Sequence, residues 1–138
     1  MSEAIAAPEA GTGEVLIQVE TSGVNFIDCY FRSGLYPAQV PFTVGQEVAG
    51  VVTQIGEGVT EVKLGDRIAT AAARGGYAEY AVASVHQCVR VPDTISSRLA
   101  AAVWLQGLTA HYLATDTFPI VAGHAALVYA AAGGVGRL

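Results

Sequence analysis

Charged residues, and basic residues above all, are scarce in this sequence. Only 14% of its 138 residues are charged, Lys and Arg number 7 against 12 Asp and Glu, and the net charge is -5. Proteins that bind nucleic-acid phosphates, or that lie on a membrane as a basic helix, need clustered Lys and Arg. The sequence therefore predicts neither a nucleic-acid partner nor a membrane partner.

Cysteines and long apolar runs are scarce as well. The two cysteines, Cys29 and Cys88, match the spacing of neither a disulfide framework nor a metal site. The longest apolar stretches, 100–105 and 125–132, are shorter than the about 20 residues that span a membrane. The first residues, MSEAIAAPEA, lack the basic end and apolar run of a signal peptide. We therefore expect a soluble, cytoplasmic protein with reduced thiols.

Hydrophobic residues, by contrast, are abundant, and their order predicts a β-rich first part. They make up 52% of the sequence, enough for the core of one ordinary domain. Val15, Ile17 and Val19 fall on one face of the segment EVLIQVE, which predicts a strand over 14–20. A short helix is expected over 24–33, ended by Gly34. Turn sequences separate further strand-like segments, as in a small barrel or sandwich, and these segments are 43–54, 67–72, 77–83 and 86–91.

The pattern becomes helical after Pro92. Ser96 is a candidate N-cap for a helix over 95–117, which Gly107 is expected to divide or kink. The apolar run 125–130, AALVYA, is typical of a buried parallel strand. It leads directly into a glycine-rich turn, so we expect the start of a βα unit that is cut short.

That turn carries the clearest chemical pattern. Ala131-x-Gly133-x-x-Gly136 matches the dinucleotide-binding fingerprint, with alanine in the place of the first glycine. Glycines here let the backbone approach a pyrophosphate at the start of a helix. Only Arg137 and Leu138 follow in the sequence, whereas the ribose-binding residue is expected about 20 positions later. Runs of small residues are common, so this pattern needs support from the rest of the chain.

Six segments supply that support because they occur together and in a fixed order. Jointly they resemble the quinone oxidoreductase (ζ-crystallin-like) branch of the medium-chain dehydrogenase/reductase superfamily, over about 11–136. The segments are SGVNFID (22–28), RSGLYP (32–37), VGQEVAG (44–50), GDR (65–67), QGLT (106–109) and AAAGGVG (130–136).

The resemblance implies a mainly β fold with helices. A GroES-like barrel domain over 1–98 would carry the substrate side of the cleft. Residues 99–138 would form a connecting helix and the first strand and turn of a truncated Rossmann, or dinucleotide-binding, domain. The resemblance also implies NADPH as the cofactor. Apolar residues exposed in an unfinished βα unit would need covering by another chain, so we expect a homo-oligomer.

The implied reaction is hydride transfer to a small planar quinone or enone without zinc. The related zinc alcohol dehydrogenases have a cysteine where this chain has Asn25 and a histidine where it has Gln46. Side-chain amides are poor zinc ligands beside thiolate and imidazole, so no metal site is expected. Electron-poor substrates need little activation beyond orientation and a few donors toward the developing oxyanion.

The resemblance also assigns candidate site residues. Asn25, Tyr30 and Tyr36 would be catalytic, as donors toward the substrate oxygen and as rings that stack on a quinone. Each tyrosine is otherwise a buried core aromatic. Thr109 would bond the cofactor or, equally, its own helical turn. The full set of expected cofactor-binding residues is Asn25, Phe26, Tyr30, Thr109, Gly133, Gly134, Val135 and Gly136.

Other polar residues carry weaker hypotheses. Gln46 either hydrogen-bonds within the pocket or stabilises a bend. Asp28 and Glu47 are close to the expected pocket, where either could have an acid–base role. The histidines share no ligand or triad spacing and are expected at the surface or with their hydrogen bonds satisfied within the fold; they are His86, His111 and His124.

Two alternatives to the enzyme interpretation stay open. The chain could be a non-catalytic GroES-like module that binds a partner or oligomerises through 125–138, or a truncated fragment without a function of its own. Because much of the expected cofactor site is not in the sequence, we expect little turnover from this chain alone.

Overall fold

The computed structural model describes residues 4–138 and has a mainly β architecture with two helices. A 3₁₀ turn spans Val85–Gln87, and a π-helical turn over Leu113–Thr117 follows the second helix. The regular elements are β1 (Glu14–Ser22), α1 (Phe26–Ser33), β2 (Val48–Ile55), β3 (Arg67–Thr70), β4 (Tyr80–Ser84), β5 (Val89–Arg90) and α2 (Ser97–Tyr112).

All five strands form one antiparallel sheet in the order β4-β1-β2-β3-β5. The apolar alternation of β1 places Ile17 between Val52 of β2 and Ala81 of β4. This side of the sheet holds the larger core cluster, which includes the fully buried Val48 and Ile68.

The other side of the sheet is covered by α2. Alternate residues of a strand point to opposite faces, so Ala49 of β2 belongs to a second core cluster although its neighbour Val48 belongs to the first. Ala49 and Ala69 pack with Ala100 and Ala101 of α2. Small residues on both partners let the helix approach the sheet closely.

The predicted helices form close to their expected bounds. Asn25 precedes α1, and Gly34 ends it in the left-handed conformation, with φ 78°. Ser96 caps α2, because its side chain accepts a hydrogen bond from the backbone N–H of Leu99 at 3.2 Å. The expected division at Gly107 is wrong, since α2 runs through that residue unbroken. The predicted domain boundary at 98/99 falls in the first turn of α2.

The predicted strands are generally shorter in the structure. The segment 43–54 becomes extended sheet only from Val48, because Gly45 turns with φ 101° and packs against another turn. A Cβ on Gly45 would lie 2.7 Å from the backbone nitrogen of Tyr77. Similarly, the segment 77–83 joins the sheet only from Tyr80. The segment 86–91 contains the end of the 3₁₀ turn and the two-residue strand β5.

The expected parallel strand over 125–130 does not form. Residues 118–138, all of them described, contain turns but no strand. A parallel strand needs a neighbouring parallel strand to accept its hydrogen bonds, and every pairing in the described part of the chain is antiparallel. Within the same residues, no helix is long and apolar enough to cross a membrane.

Candidate functional site

The start of α1 is fixed by hydrogen bonds around Asn25. Asn25 has extended backbone dihedrals, and its N–H donates to Asp28 Oδ2 at 3.1 Å, as in one half of a capping box. Asp28 is buried and also accepts the Tyr77 hydroxyl at 2.6 Å. Burial and this bond to Asp28 raise the pKa of Tyr77 to about 12. The first turn of α1 is therefore held to the loop that precedes β4.

The side-chain amide of Asn25 is held from two sides. Its Nδ2 donates to Glu47 Oε2 at 2.8 Å, and its Oδ1 accepts from Gln106 Nε2 at 3.2 Å. Glu47 lies just before β2, and Gln106 lies in the second half of α2. Three elements that are distant in sequence therefore converge on one amide.

Glu47 is the buried centre of this arrangement. Its side chain is fully buried, and its second oxygen, Oε1, accepts the backbone N–H of Leu105 at 2.7 Å. Gly23 makes room for it, because a Cβ on Gly23 would overlap the Glu47 carboxylate. Both carboxylate oxygens thus accept hydrogen bonds, which compensates for the loss of water around a buried acidic group.

Gln106 connects this network to the glycine-rich turn. A Cβ on Gly134 would lie 3.0 Å from Gln106 Cγ, so the turn packs directly against that side chain. The other amide atom, Gln106 Oε1, is buried and accepts no hydrogen bond from a described residue. The structure therefore brings together Asn25 and Gly134, two of the predicted cofactor-binding residues, with Gln106 between them.

The glycine-rich turn is compact and begins a helical turn. Gly133 N–H donates to the Ala130 carbonyl at 2.8 Å, and Arg137 N–H donates to the Gly133 carbonyl at 3.2 Å. A Cβ on Gly136 would lie 2.5 Å from the Ala130 oxygen, so a side chain does not fit there. The backbone N–H groups of Gly134, Val135 and Gly136 donate to no backbone acceptor in the described part of the chain. Such free N–H groups in a glycine-rich turn fit a phosphate group.

The aromatic residues of α1 form a partly exposed cluster. The rings of Phe26 and Tyr30 are 5.6 Å apart, and those of Tyr30 and Tyr36 are 5.3 Å apart. Phe26 is 75% exposed and Tyr36 is 43% exposed, so Tyr36 is not the buried core aromatic of the alternative interpretation. The cluster offers aromatic surface to a planar ligand.

The Thr109 hydroxyl bonds its own helical turn, which is the second of the two contacts expected for it. Its hydroxyl donates to the Leu105 carbonyl one helical turn earlier, at 2.7 Å. The hydroxyl oxygen can still accept a hydrogen bond from a ligand. Its expected contact with the cofactor remains a prediction.

A cavity of about 370 Å³ is lined in part by Phe31, Phe42 and Gln46. The Gln46 carbonyl accepts the Ala73 N–H at 2.9 Å, which supports the bend before β2. Its side-chain amide hydrogen-bonds no other described residue.

Sequence reasoning assigned no role to Gln106 or Tyr77. Gln106 belongs to one of the quoted segments, which was the available signal, but Tyr77 had none.

His86, His111 and His124 are exposed, as expected. Burial raises the pKa of Cys88 to about 11, which keeps this thiol protonated and unreactive. Residues 4–138 contain no group of three His, Cys, Asp or Glu that could hold a metal ion.

Known proteins are similar to this chain over most of its sequence. The family model described as "Alcohol dehydrogenase GroES-like domain" matches residues 11–93. A quinone oxidoreductase of Pseudomonas aeruginosa is 46% identical over 130 residues, which cover 93% of this chain and 40% of that protein. The chain thus spans about two fifths of the length of the curated relatives it matches.

Solved structures are similar over the same part. A mycobacterial quinone oxidoreductase matches with a TM-score of 0.90 and 47% identity, over 97% of this chain and 42% of that one. An Escherichia coli quinone oxidoreductase complexed with NADPH matches with a TM-score of 0.92 and 38% identity, over 97% and 42%. These similarities confirm the resemblance that the six sequence segments predicted.

Proposed function

Because the chain belongs to the family of alcohol dehydrogenase GroES-like domains, we propose that it forms the substrate side of an NADPH-dependent quinone reductase. The reduction of a planar quinone or enone needs a bound hydride donor, a seat for the ring and hydrogen-bond donors toward the oxygen. The similar quinone oxidoreductases support this reaction class, and one of them is complexed with NADPH.

The observation that carries the proposal is the convergence of Asn25, Gln106 and Gly134. It links the start of α1, the second half of α2 and the glycine-rich turn in one place. A cofactor with its phosphates at the turn would then extend along α2 toward Asn25. When bound there, NADPH supplies the hydride.

The chain's own residues have separate tasks in this proposal. The free backbone N–H groups of Gly134, Val135 and Gly136 bind phosphate, Gly133 lets the backbone of the turn approach it, and Thr109 accepts a bond from the cofactor. Phe26, Tyr30 and Tyr36 stack on planar rings and exclude water from them. Asn25 donates an N–H to the substrate oxygen or to the cofactor amide. No step requires a metal ion.

The first test is a fluorescence titration of NADPH against the purified chain. We expect saturable, micromolar binding, and we expect Gly136→Val to abolish it because the added side chain fills the turn. Gly107→Ala is the control, since a Cβ there meets no atom within 4 Å. Absence of binding at millimolar NADPH would refute the proposal for this chain.

The second test concerns the reaction. NADPH oxidation by 1,4-benzoquinone is followed with and without a zinc chelator, using the chain itself and any longer protein that contains it. We expect quinone-dependent oxidation by the longer protein, unchanged by the chelator, and little turnover by the chain alone. Binding of NADPH without quinone reduction in any of these proteins would remove the enzyme assignment.

A second candidate function is a non-catalytic module that associates with itself. The observation in its favour is the exposed apolar surface of 118–138, where Leu127 is 79% exposed and Tyr129 is 84% exposed. Self-association without NADPH binding would favour this candidate over the enzyme. A homo-oligomer that binds NADPH agrees with the first proposal.

A further inference from the structure

We infer that Glu47 is a positioning residue, which fixes the orientation of the Asn25 amide so that Asn25 presents an N–H donor to the ligand. This inference rests on the proposed function, because it concerns the amide that would face the cofactor and the substrate. Its structural part, the orientation of the amide, can be tested without any ligand.

The orientation follows from the chemistry of the two groups. A carboxylate accepts hydrogen bonds and does not donate them, so the Asn25 atom that lies 2.8 Å from Glu47 Oε2 is the nitrogen. The reversed amide would place two oxygens against each other at that distance. An amide nitrogen carries two hydrogens, and no other described residue accepts the second one. That hydrogen is the donor left for a ligand.

The same polarity passes on to Gln106. Because Asn25 Oδ1 faces Gln106, the Gln106 atom at 3.2 Å is Nε2, and Gln106 Oε1 is turned away. The buried Oε1 has no hydrogen-bond partner among the described residues. A reversed Gln106 would place its own oxygen against Asn25 Oδ1, and neither oxygen could donate a hydrogen bond to the other. The acidic group thus determines the direction of two amides.

Glu47 is itself immobile, as a positioning residue has to be. It is fully buried, its Oε1 accepts the Leu105 N–H at 2.7 Å, and Gly23 packs against its carboxylate. None of the ion pairs in the described part of the chain includes Glu47. A buried acidic group without a cation is costly for stability alone, which agrees with a role in orienting Asn25.

Glu47→Gln tests the inference because it changes polarity at almost constant volume. A glutamine has one acceptor and one donor. Its oxygen keeps the bond from Leu105 N–H, so its Nε2 faces Asn25. Asn25 then turns its oxygen toward residue 47 and its nitrogen toward Gln106, which reverses as well. The side chains of residues 25, 47 and 106 keep the same number of hydrogen bonds, but donor and acceptor are exchanged in each bond between them.

The ligand-free readout is the set of side-chain amide signals in a ¹H–¹⁵N correlation spectrum. In Glu47→Gln we expect the signals of both Asn25 and Gln106 to move, while those of Gln46 stay in place. Asn25→Asp and Gln106→Glu spectra assign the signals by their disappearance. Unmoved Asn25 signals in Glu47→Gln, with the Leu105 backbone signal shifted, would overturn the inference.

The functional readout is the kinetics of quinone reduction by the protein that carries the proposed activity. We expect kcat to fall by about a hundredfold or more in Glu47→Gln, as for the loss of one aimed donor, with the thermal midpoint nearly unchanged. The double variant Asn25→Asp, Glu47→Gln restores the network without an N–H donor, and we expect it to remain as slow.

Glu20→Gln is the matched control. Glu20 of β1 also joins the sheet to α2, because it accepts a hydrogen bond from the Ser97 hydroxyl, but it does not contact Asn25. We expect wild-type kinetics and unmoved Asn25 signals from this variant. Equal losses of kcat in Glu20→Gln and Glu47→Gln would show a purely structural role and overturn the inference.

The amide spectra and the kinetics together distinguish a failure of this inference from a failure of the proposed function. If the wild-type chain and longer proteins that contain it neither bind NADPH nor reduce quinone, the proposed function fails, and the amide spectra alone decide on Glu47. If the amides reverse and kcat stays at the wild-type value, the positioning role is wrong while the proposed function stands.

Discussion

Gly23 is a residue whose importance is visible only when its neighbour is considered. A Cβ at this position would overlap the buried Glu47 carboxylate, whereas a Cβ on Gly107 would meet nothing within 4 Å. We expect Gly23→Ala to lower the free energy of unfolding by about 2 kcal/mol, as for other overpacked sites. Gly107→Ala should raise it by about 0.5–1 kcal/mol, because alanine stabilises a helix relative to glycine. Urea unfolding of the two variants measures both changes, and equal effects would contradict this account of Gly23.

The site residues show how far prediction from sequence reaches at this scale. Asn25 and the glycines of the turn could be located because they belong to recognisable segments. The hydrogen bond between Asn25 and Glu47 could not be predicted, because the two residues are 22 positions apart and pair through side chains. The bond from Leu105 was still less predictable, since a backbone N–H carries no sequence signature.

At the scale of elements, α1 is attached to the loop before β4 by the Tyr77–Asp28 hydrogen bond. The pKa of Tyr77 is raised to about 12, against about 10 for an unfolded tyrosine. The stability from this bond is therefore complete below pH 10 and is lost as the pH rises toward 12. We expect Tyr77→Phe to lower the unfolding free energy by about 1 kcal/mol at pH 7, since the hydroxyl is partly exposed.

Urea unfolding at several pH values checks this attachment. The difference between wild type and Tyr77→Phe should shrink between pH 10 and pH 12. Tyr112→Phe is the control, because its side chain is 54% exposed and its hydroxyl bonds no described residue. A constant difference across the pH range would mean that Tyr77 does not stabilise α1 through Asp28.

Helices were predicted better than strands for a physical reason. The ends of α1 and α2 depend on local residues, namely the left-handed Gly34 and the cap Ser96. The start of β2 depends instead on the packing of Gly45 against the distant Tyr77. The expected strand over 125–130 has the composition of a strand, but its conformation depends on a parallel neighbour that the composition cannot supply.

At the scale of the whole molecule, the mainly β fold class was predictable from the sequence. The exposed apolar surface of 118–138 arises because this segment pairs with no strand. Leu127 and Tyr129 are among the most exposed large apolar side chains, at 79% and 84%. Contiguous apolar surface promotes association in water. We expect the chain to self-associate at high concentration and the double variant Leu127→Lys, Tyr129→Lys to associate less.

Sedimentation velocity over a concentration series measures this association. Leu64→Lys is the control, because Leu64 is 63% exposed in a turn remote in sequence from 118–138. The double variant changes only exposed residues, so its thermal midpoint should equal that of the wild type. A wild-type chain that stays monomeric at high concentration would show that this surface does not mediate self-association.

The Leu105 N–H bond to Glu47 has one further consequence, for the way the molecule opens. Most helix amides lose their protection against deuterium exchange when their own turn unwinds. The Leu105 amide also depends on the docking of α2 onto the sheet, because its acceptor, Glu47, lies outside the helix, just before β2. Its exchange rate therefore records undocking of the helix, separately from fraying. Each such event also admits water to the Glu47 carboxylate, so the site and the helix open together.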